Sequence, residues 1–136
     1  PIGKWKLRSL YYREDKCSLI NESLNKKIKI NKISKACGWC DDINSKFYNQ
    51  RITIPQNNKN QLSYEKLWRD DNAYDIFFEL GYNDNPVVKG MGSAIFLHCS
   101  FDDVKYTAGC VAMEKSFFKY ALENLTSNTY IEIKTK

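Results

Sequence analysis

Four short stretches of this chain alternate apolar and polar residues one by one: Lys4-Trp5-Lys6-Leu7, Lys27-Ile28-Lys29-Ile30, Arg51-Ile52-Thr53-Ile54 and Tyr130-Ile131-Glu132-Ile133. A period of two sends neighbouring side chains to opposite faces, so each stretch reads as a half-buried β-strand. Asn21-Glu22-Ser23, the run Pro55 to Asn60 and Asn83-Asp84-Asn85-Pro86 separate them with the residues that turns prefer. Two runs, Tyr74 to Leu80 and Ser93 to Leu97, are more continuously apolar and predict central strands. Helical spacing occurs once: from about Glu114, the residues Phe117, Ala121, Leu122 and Leu125 recur behind polar neighbours. The expected class is mainly β, with a single helix that follows Cys110 directly.

A chain of 136 residues has room for one hydrophobic core, so one domain is expected. Its 43% apolar and 27% charged residues are close to globular averages, so a folded rather than a disordered chain is expected. A net charge of +5 favours an anionic polymer as partner. The densest basic run, residues 25–32, alternates lysine with isoleucine; this is a strand with a solvated lysine face rather than the basic and aromatic cluster of a nucleic-acid site. Nucleic acid is set aside, and anionic cell wall remains. No apolar run approaches the roughly 18 residues of a membrane span, so a soluble domain is expected. Because residue 1 is proline, the sequence reads as a mature form or a piece of a longer chain, with any signal or anchor in the missing part.

Five cysteines, an odd count, argue against a simple disulfide framework. Cys37 and Cys40 form a Cys-x-x-Cys, but a zinc site needs a second ligand pair. The other close pair, His98 and Cys99, is adjacent in a predicted strand and points to opposite faces. Neither a metal nor a cofactor is expected.

The chemistry concentrates in two segments. One runs from Gly90 to His98, the single histidine, which its strand carries to an edge; the other is Thr107-Ala108-Gly109-Cys110-Val111-Ala112-Met113. The connection between them, Cys99 to Tyr106, is short enough to fold Cys110 back beside the imidazole. A free thiol ionises near pH 8.5, so a cysteine nucleophile at neutral pH needs a base, and His98 supplies one. Cys110 is therefore expected to be the single hyper-reactive thiol. Gly109 permits a tight turn, and the backbone amides of Gly109 and Cys110 can face a developing oxyanion. Spacing alone leaves open that Cys110 is a small buried hydrophobe and His98 a satisfied core residue. Cys17 and Cys99, without a glycine turn, take that structural reading. Asp102 and Asp103 read as a solvated turn, with orientation of the imidazole as their alternative.

Gly90-Met91-Gly92-Ser93-Ala94-Ile95-Phe96-Leu97-His98 followed by Thr107-Ala108-Gly109-Cys110-Val111-Ala112 resembles the catalytic signature of the YkuD-type L,D-transpeptidase domain. Upstream, Pro1-Ile2-Gly3-Lys4-Trp5 is similar to the opening motif of that domain. Trp39-Cys40-Asp41-Asp42, Phe47-Tyr48-Asn49 and Leu67-Trp68-Arg69-Asp70-Asp71 are similar to segments of one branch. The likeness spans nearly the whole chain. It implies a β-sandwich with histidine and cysteine on neighbouring strands, and makes residues 1–136 a catalytic domain without the strands that precede its opening motif.

The implied activity is attack by Cys110 on the carbonyl of the third residue of a peptidoglycan stem peptide. D-alanine leaves, and an amine of a second stem takes the acyl group to give a 3→3 cross-link. The resemblance further implies export to the periplasm or cell envelope and action as a monomer on stem peptides, with no stable protein partner. Water as acceptor would make the domain an L,D-carboxypeptidase or another cysteine hydrolase of wall peptides. A non-catalytic wall-binding module would need neither the histidine nor the glycine turn. Two departures from the family pattern stand out: Ala112 occupies the usual arginine position, and Cys99 follows the histidine where glycine is common. They imply altered donor recognition and a more open thiol. Thr107, Ser93 and Arg69 are the candidate substrate contacts, with an ion pair to Asp70 or Asp71 the preferred reading of Arg69. Trp39, Trp68 and Tyr82 either line a groove or fill the core.

Overall fold

The computed structural model describes residues 1–100 and 106–135. Its elements in chain order are β1 (Gly3–Tyr12), a 3-10 turn (Glu22–Lys26), β2 (Lys29–Lys32), β3 (Cys37–Cys40), β4 (Gln50–Thr53), β5 (Tyr64–Lys66), β6 (Ile76–Leu80), β7 (Phe96–Cys99), β8 (Val111–Met113), α1 (Lys115–Glu123) and β9 (Tyr130–Ile133). The chain is thus mainly β, with one α-helix among the described residues. A mixed six-stranded sheet runs β2-β1-β6-β7-β8, with β9 also paired to β1, and a smaller antiparallel sheet runs β4-β3-β5. The long β1 serves three partners: Gly3–Lys6 pair with β9, Ser9–Tyr12 with β2, and Leu7–Tyr12 with β6.

Strand alternation divides the large sheet into two buried faces. Ile76, Phe78 and Leu80 of β6, with Leu97 and Cys99 of β7, join the core under α1. Phe77 and Phe96 point the other way, into a second cluster with Cys37 and Trp39 of the small sheet. In β1 the parity switches: Leu7 and Leu10 both belong to the helix-side core, three residues apart. The pairing with β6 shifts register between Leu7 and Ser9, and one extra residue there re-aims every side chain that follows.

The layer between the sheets is aromatic. Tyr11 stacks on Phe77 at 4.9 Å between centroids, Phe77 lies 4.5 Å from Phe96, and Trp39 meets Phe96 edge-on at 5.0 Å. Offset and edge-on geometries place ring edges against ring faces, which favours these pairs beyond their buried area. On the opposite side, α1 buries Phe118 and Leu122, one turn apart, and Phe118 lies parallel to Phe78 at 6.0 Å. Lys115 Nζ, 3.5 Å from Asp75 Oδ2, ties the start of α1 to the residue before β6.

Three expectations are corrected. The alternation at Lys27–Ile30 does not begin a strand, because Lys27 closes the 3-10 turn and its amide bonds the Leu24 carbonyl; Ile28 then enters the core and β2 starts at Lys29. The predicted strand Ser93 to Leu97 begins only at Phe96, since Ala94 has a left-handed φ of 54°, incompatible with a ladder. His98 does not sit on a sheet edge either: β7 lies between β6 and β8.

Phe118 is fully buried, so Phe118→Ala should remove about 3–5 kcal/mol of stability through lost transfer energy and the cavity left behind. Chemical denaturation of the two proteins measures the difference.

Candidate active site

The strand repeat that puts Phe96 between the sheets puts His98, two residues on, on the same face. β7 and β8 run parallel, with Leu97 opposite Val111 and His98 opposite Ala112. Cys110 immediately precedes β8, beside Phe96 and one pleat from the histidine. Both side chains line one cavity of about 240 Å³, whose wall also includes Glu65, Arg69, Tyr74 and Ser93.

His98 is held in one tautomer. Its Nδ1 lies 2.8 Å from the carbonyl oxygen of Cys99, and a carbonyl can only accept, so Nδ1 carries the proton. The neutral ring therefore presents Nε2 as its basic nitrogen. Tyr74 closes one side of the imidazole, edge to face at 5.5 Å. Burial lowers the His98 pKa below the ordinary histidine value; the Cys99 carbonyl works against that shift and the Arg69 guanidinium adds to it. The resting ring is an uncharged base at neutral pH.

The sulfur of Cys110 sits between two main-chain groups, one at the start of β7 and one just before it. Its thiol donates to the Ala94 carbonyl at 3.2 Å, and the Phe96 amide donates to the sulfur at 3.4 Å. Burial pushes the thiol pKa up; the Phe96 amide offsets part of this, while the negative charge of Glu65 adds to it. Burial thus works against the hyper-reactive thiol that the sequence predicts. A half-buried sulfur that donates to a carbonyl rests as a thiol, so imidazole and thiol are both neutral. Gly109 has φ 118°, a conformation that favours glycine, and a Cβ there would come within 3.2 Å of Ile95. The neighbours of Gly109, Ala108 and Cys110, both line the cavity.

The other candidate contacts divide. Ser93 and Thr107 both line the cavity, but the Thr107 hydroxyl donates to the Cys110 carbonyl at 2.5 Å and so braces the turn. Arg69 is at the wall with its guanidinium already engaged. Its Nε lies 3.0 and 3.1 Å from the two Asp71 oxygens, Glu65 is 3.6 Å away, and the group sits over Tyr74 at 5.0 Å. Ala112 is not among the described lining residues and opens instead on a shallow neighbour beside Phe117. Trp39 is core, Trp68 lies under the Arg13 guanidinium at 3.4 Å, and Tyr82 packs on Trp5 and donates to the Met91 carbonyl. Asp102 and Asp103 lie outside the described residues.

Sequence reasoning missed three participants. The Cys99 carbonyl has no side-chain signature. Glu65 and Tyr74 sit nine residues apart in unrelated segments, yet the Tyr74 hydroxyl donates to Glu65 at the cavity wall. Burial raises the pKa of both groups; the Glu65 charge raises Tyr74 further, whereas the Tyr74 hydrogen bond and Arg69 partly relieve Glu65. Neither Glu65 nor Tyr74 carried a local signal, because only the fold brings β5 beside the segment that precedes β6. Among the described residues no cluster of ligating side chains could hold a metal ion. Cys37 and Cys40 are both buried free thiols. Burial raises the Cys37 pKa, but hydrogen bonds from Ser34 and Arg51 outweigh it and leave the value lowered.

Cys110 is the one cysteine that is not buried. Iodoacetamide should label it first, with a rate that climbs only above about pH 8.5, the ordinary thiol value. Peptide mass spectrometry reads both site and rate; rapid labelling at mildly acidic pH would reveal a pre-formed thiolate–imidazolium pair. Compared with known proteins, the chain matches no family model, no curated protein and no solved structure.

Proposed function

We propose that this domain is a peptidoglycan L,D-transpeptidase with the β-sandwich of the YkuD-type catalytic domain, acting outside the cytoplasmic membrane. The observation that carries the reading is the placement of one accessible thiol, Cys110, and one tautomer-fixed neutral imidazole, His98, on the same cavity wall. A wall-binding module has no use for a base with its ring so oriented, and the motif resemblance supplies the substrate class.

In the proposed reaction, His98 Nε2 takes the Cys110 proton as the sulfur swings off the Ala94 carbonyl toward the donor stem. The thiolate adds to the carbonyl carbon of the third stem residue, and the Gly109 and Cys110 amides face the resulting oxyanion. The C–N bond to D-alanine breaks, and the imidazolium returns its proton to the leaving amine. A thioester remains. The amine of a second stem then attacks it, gives its proton to His98, and the C–S bond breaks to regenerate the thiol. Water in place of the amine yields a shortened stem, the L,D-carboxypeptidase outcome.

Incubation with tetrapeptide stems followed by mass spectrometry of the muropeptides tests this. Cross-linked dimers lighter by one D-alanine are expected; shortened monomers alone would indicate the hydrolase, and unchanged stems the binding module. Cys110→Ala should abolish both products, and His98→Ala should cost roughly 10²–10⁴-fold in rate, the usual worth of a general base.

The pH profile carries a second test. A depressed imidazole pKa keeps the base deprotonated further into acid, so the acid limb of kcat/KM should fall below about pH 6.5, the unperturbed histidine value. A carbapenem, with its strained amide, should acylate the same thiol. Intact-protein mass spectrometry should show one adduct on wild type and none on Cys110→Ala.

A further inference from the structure

Asn49 lies far from Cys110 in sequence and contributes nothing to the cavity wall, yet its side chain is bonded to the residue that holds the sulfur. It sits just before β4, buried to 8% exposure, with a left-handed φ of 57° that asparagine tolerates better than most residues. Its Oδ1 accepts from Trp39 Nε1 at 2.9 Å and from the Ala94 amide at 3.1 Å. Its Nδ2 donates to the carbonyls of Tyr82 at 3.2 Å and Asn83 at 2.8 Å. All four bonding positions of the amide are filled, and the orientation is unambiguous, because two groups that only donate face one end and two that only accept face the other.

The same Ala94 whose amide is captured offers its carbonyl to the Cys110 thiol at 3.2 Å. Ala94 is buried at 7% and holds φ 54°, a conformation that costs an alanine energy and persists only when its surroundings impose it. The imposing contact is Asn49. A left-handed Ala94 turns its N–H toward the small sheet and its C=O into the cavity, and β7 begins two residues later.

We propose that Asn49 is a positioning residue for the nucleophile, fixing Ala94 so that the sulfur of Cys110 is held as a thiol in the cavity until the substrate draws it toward His98. The inference rests on Cys110 being the nucleophile. Its effect on the thiol, however, is readable without any turnover.

Loss of the Asn49 acceptor leaves two buried donors unpaired, the Trp39 indole and the Ala94 amide, and lets Ala94 relax. With its carbonyl displaced, the protonated sulfur loses a hydrogen bond, so ionisation becomes easier. Asn49→Ala should therefore lower the pH midpoint of Cys110 alkylation by about half to one unit, the size of one hydrogen bond. Turnover should fall by about 10- to 100-fold, since a misplaced nucleophile is costly. Thiol reactivity and kcat thus move in opposite directions; general loosening of the fold would do the same by solvating the sulfur, but would expose the buried cysteines along with Cys110.

Two controls separate the roles. Trp39→Phe removes another bond of the same amide but spares Ala94, and should leave the Cys110 midpoint in place. Hydrogen exchange of the Ala94 amide in the wild-type protein should be slow, a measurement that stands even if Asn49→Ala does not fold. The inference is overturned by an unshifted Cys110 midpoint in Asn49→Ala, by an equal shift in Trp39→Phe, by labelling of the buried cysteines together with Cys110, or by fast exchange at Ala94. A wild type without transpeptidation but with the predicted midpoint shift would instead reject the proposed function and keep the role of Asn49.

Discussion

Phe96 and His98 leave β7 on one side because strand residues alternate, and Leu97 and Cys99 must leave on the other. That two-residue repeat is the constraint on which the rest depends. Leu97 and Cys99 anchor β7 into the core beneath α1, while Phe96 anchors it into the aromatic layer under the small sheet. A strand fixed on both faces cannot rotate or slip, because a one-residue slip would exchange two buried sets at once. The imidazole inherits that rigidity at the end of the aromatic layer, with Tyr74 against its face and the Cys99 carbonyl against its Nδ1.

Burial, which gives the site its precision, also sets its electrostatics. The charged form of each reacting group is disfavoured by the surrounding apolar layer, so imidazole and thiol rest uncharged. Arg69 would alter this balance if it stood alone, but Asp71 and Glu65 neutralise it in place, and its pKa rises through the Asp71 hydrogen bond. Among the described residues that line the cavity, none is therefore a bare cation that would hold a thiolate at rest. In the proposed reaction, proton transfer from sulfur to nitrogen would be left to the moment when a substrate carbonyl is present to receive the charge.

The small sheet contributes to the site at two points. Through β5 it supplies Glu65, which anchors the Tyr74 hydroxyl. Through Trp39 and the loop ending at Asn49 it grips the segment before β7. Main chain thus does much of the work: the Ala94 carbonyl and the Phe96 amide contact the Cys110 sulfur, the Cys99 carbonyl contacts His98 Nδ1, and side chains some distance away decide where that main chain lies.

What the sequence determines by itself is local. Alternation located β9 at Tyr130–Ile133 to the residue, the apolar run ending at Leu80 located β6, and the three-to-four spacing after Glu114 located α1, because each pattern reports which side of one element meets the core. Cys110 and His98 were legible as candidates because a thiol after glycine and a lone imidazole are chemically distinctive within a short span. Tertiary structure alone decided the bulge between Leu7 and Ser9, the left-handed Ala94, and the convergence of Asn49, Glu65 and Tyr74 on the site. Pairing between distant segments fixes all of these. An asparagine in a loop has no visible partner until the fold brings a donor 45 residues away within 3.1 Å, and a backbone carbonyl is the same in every residue until the chain around it has a shape.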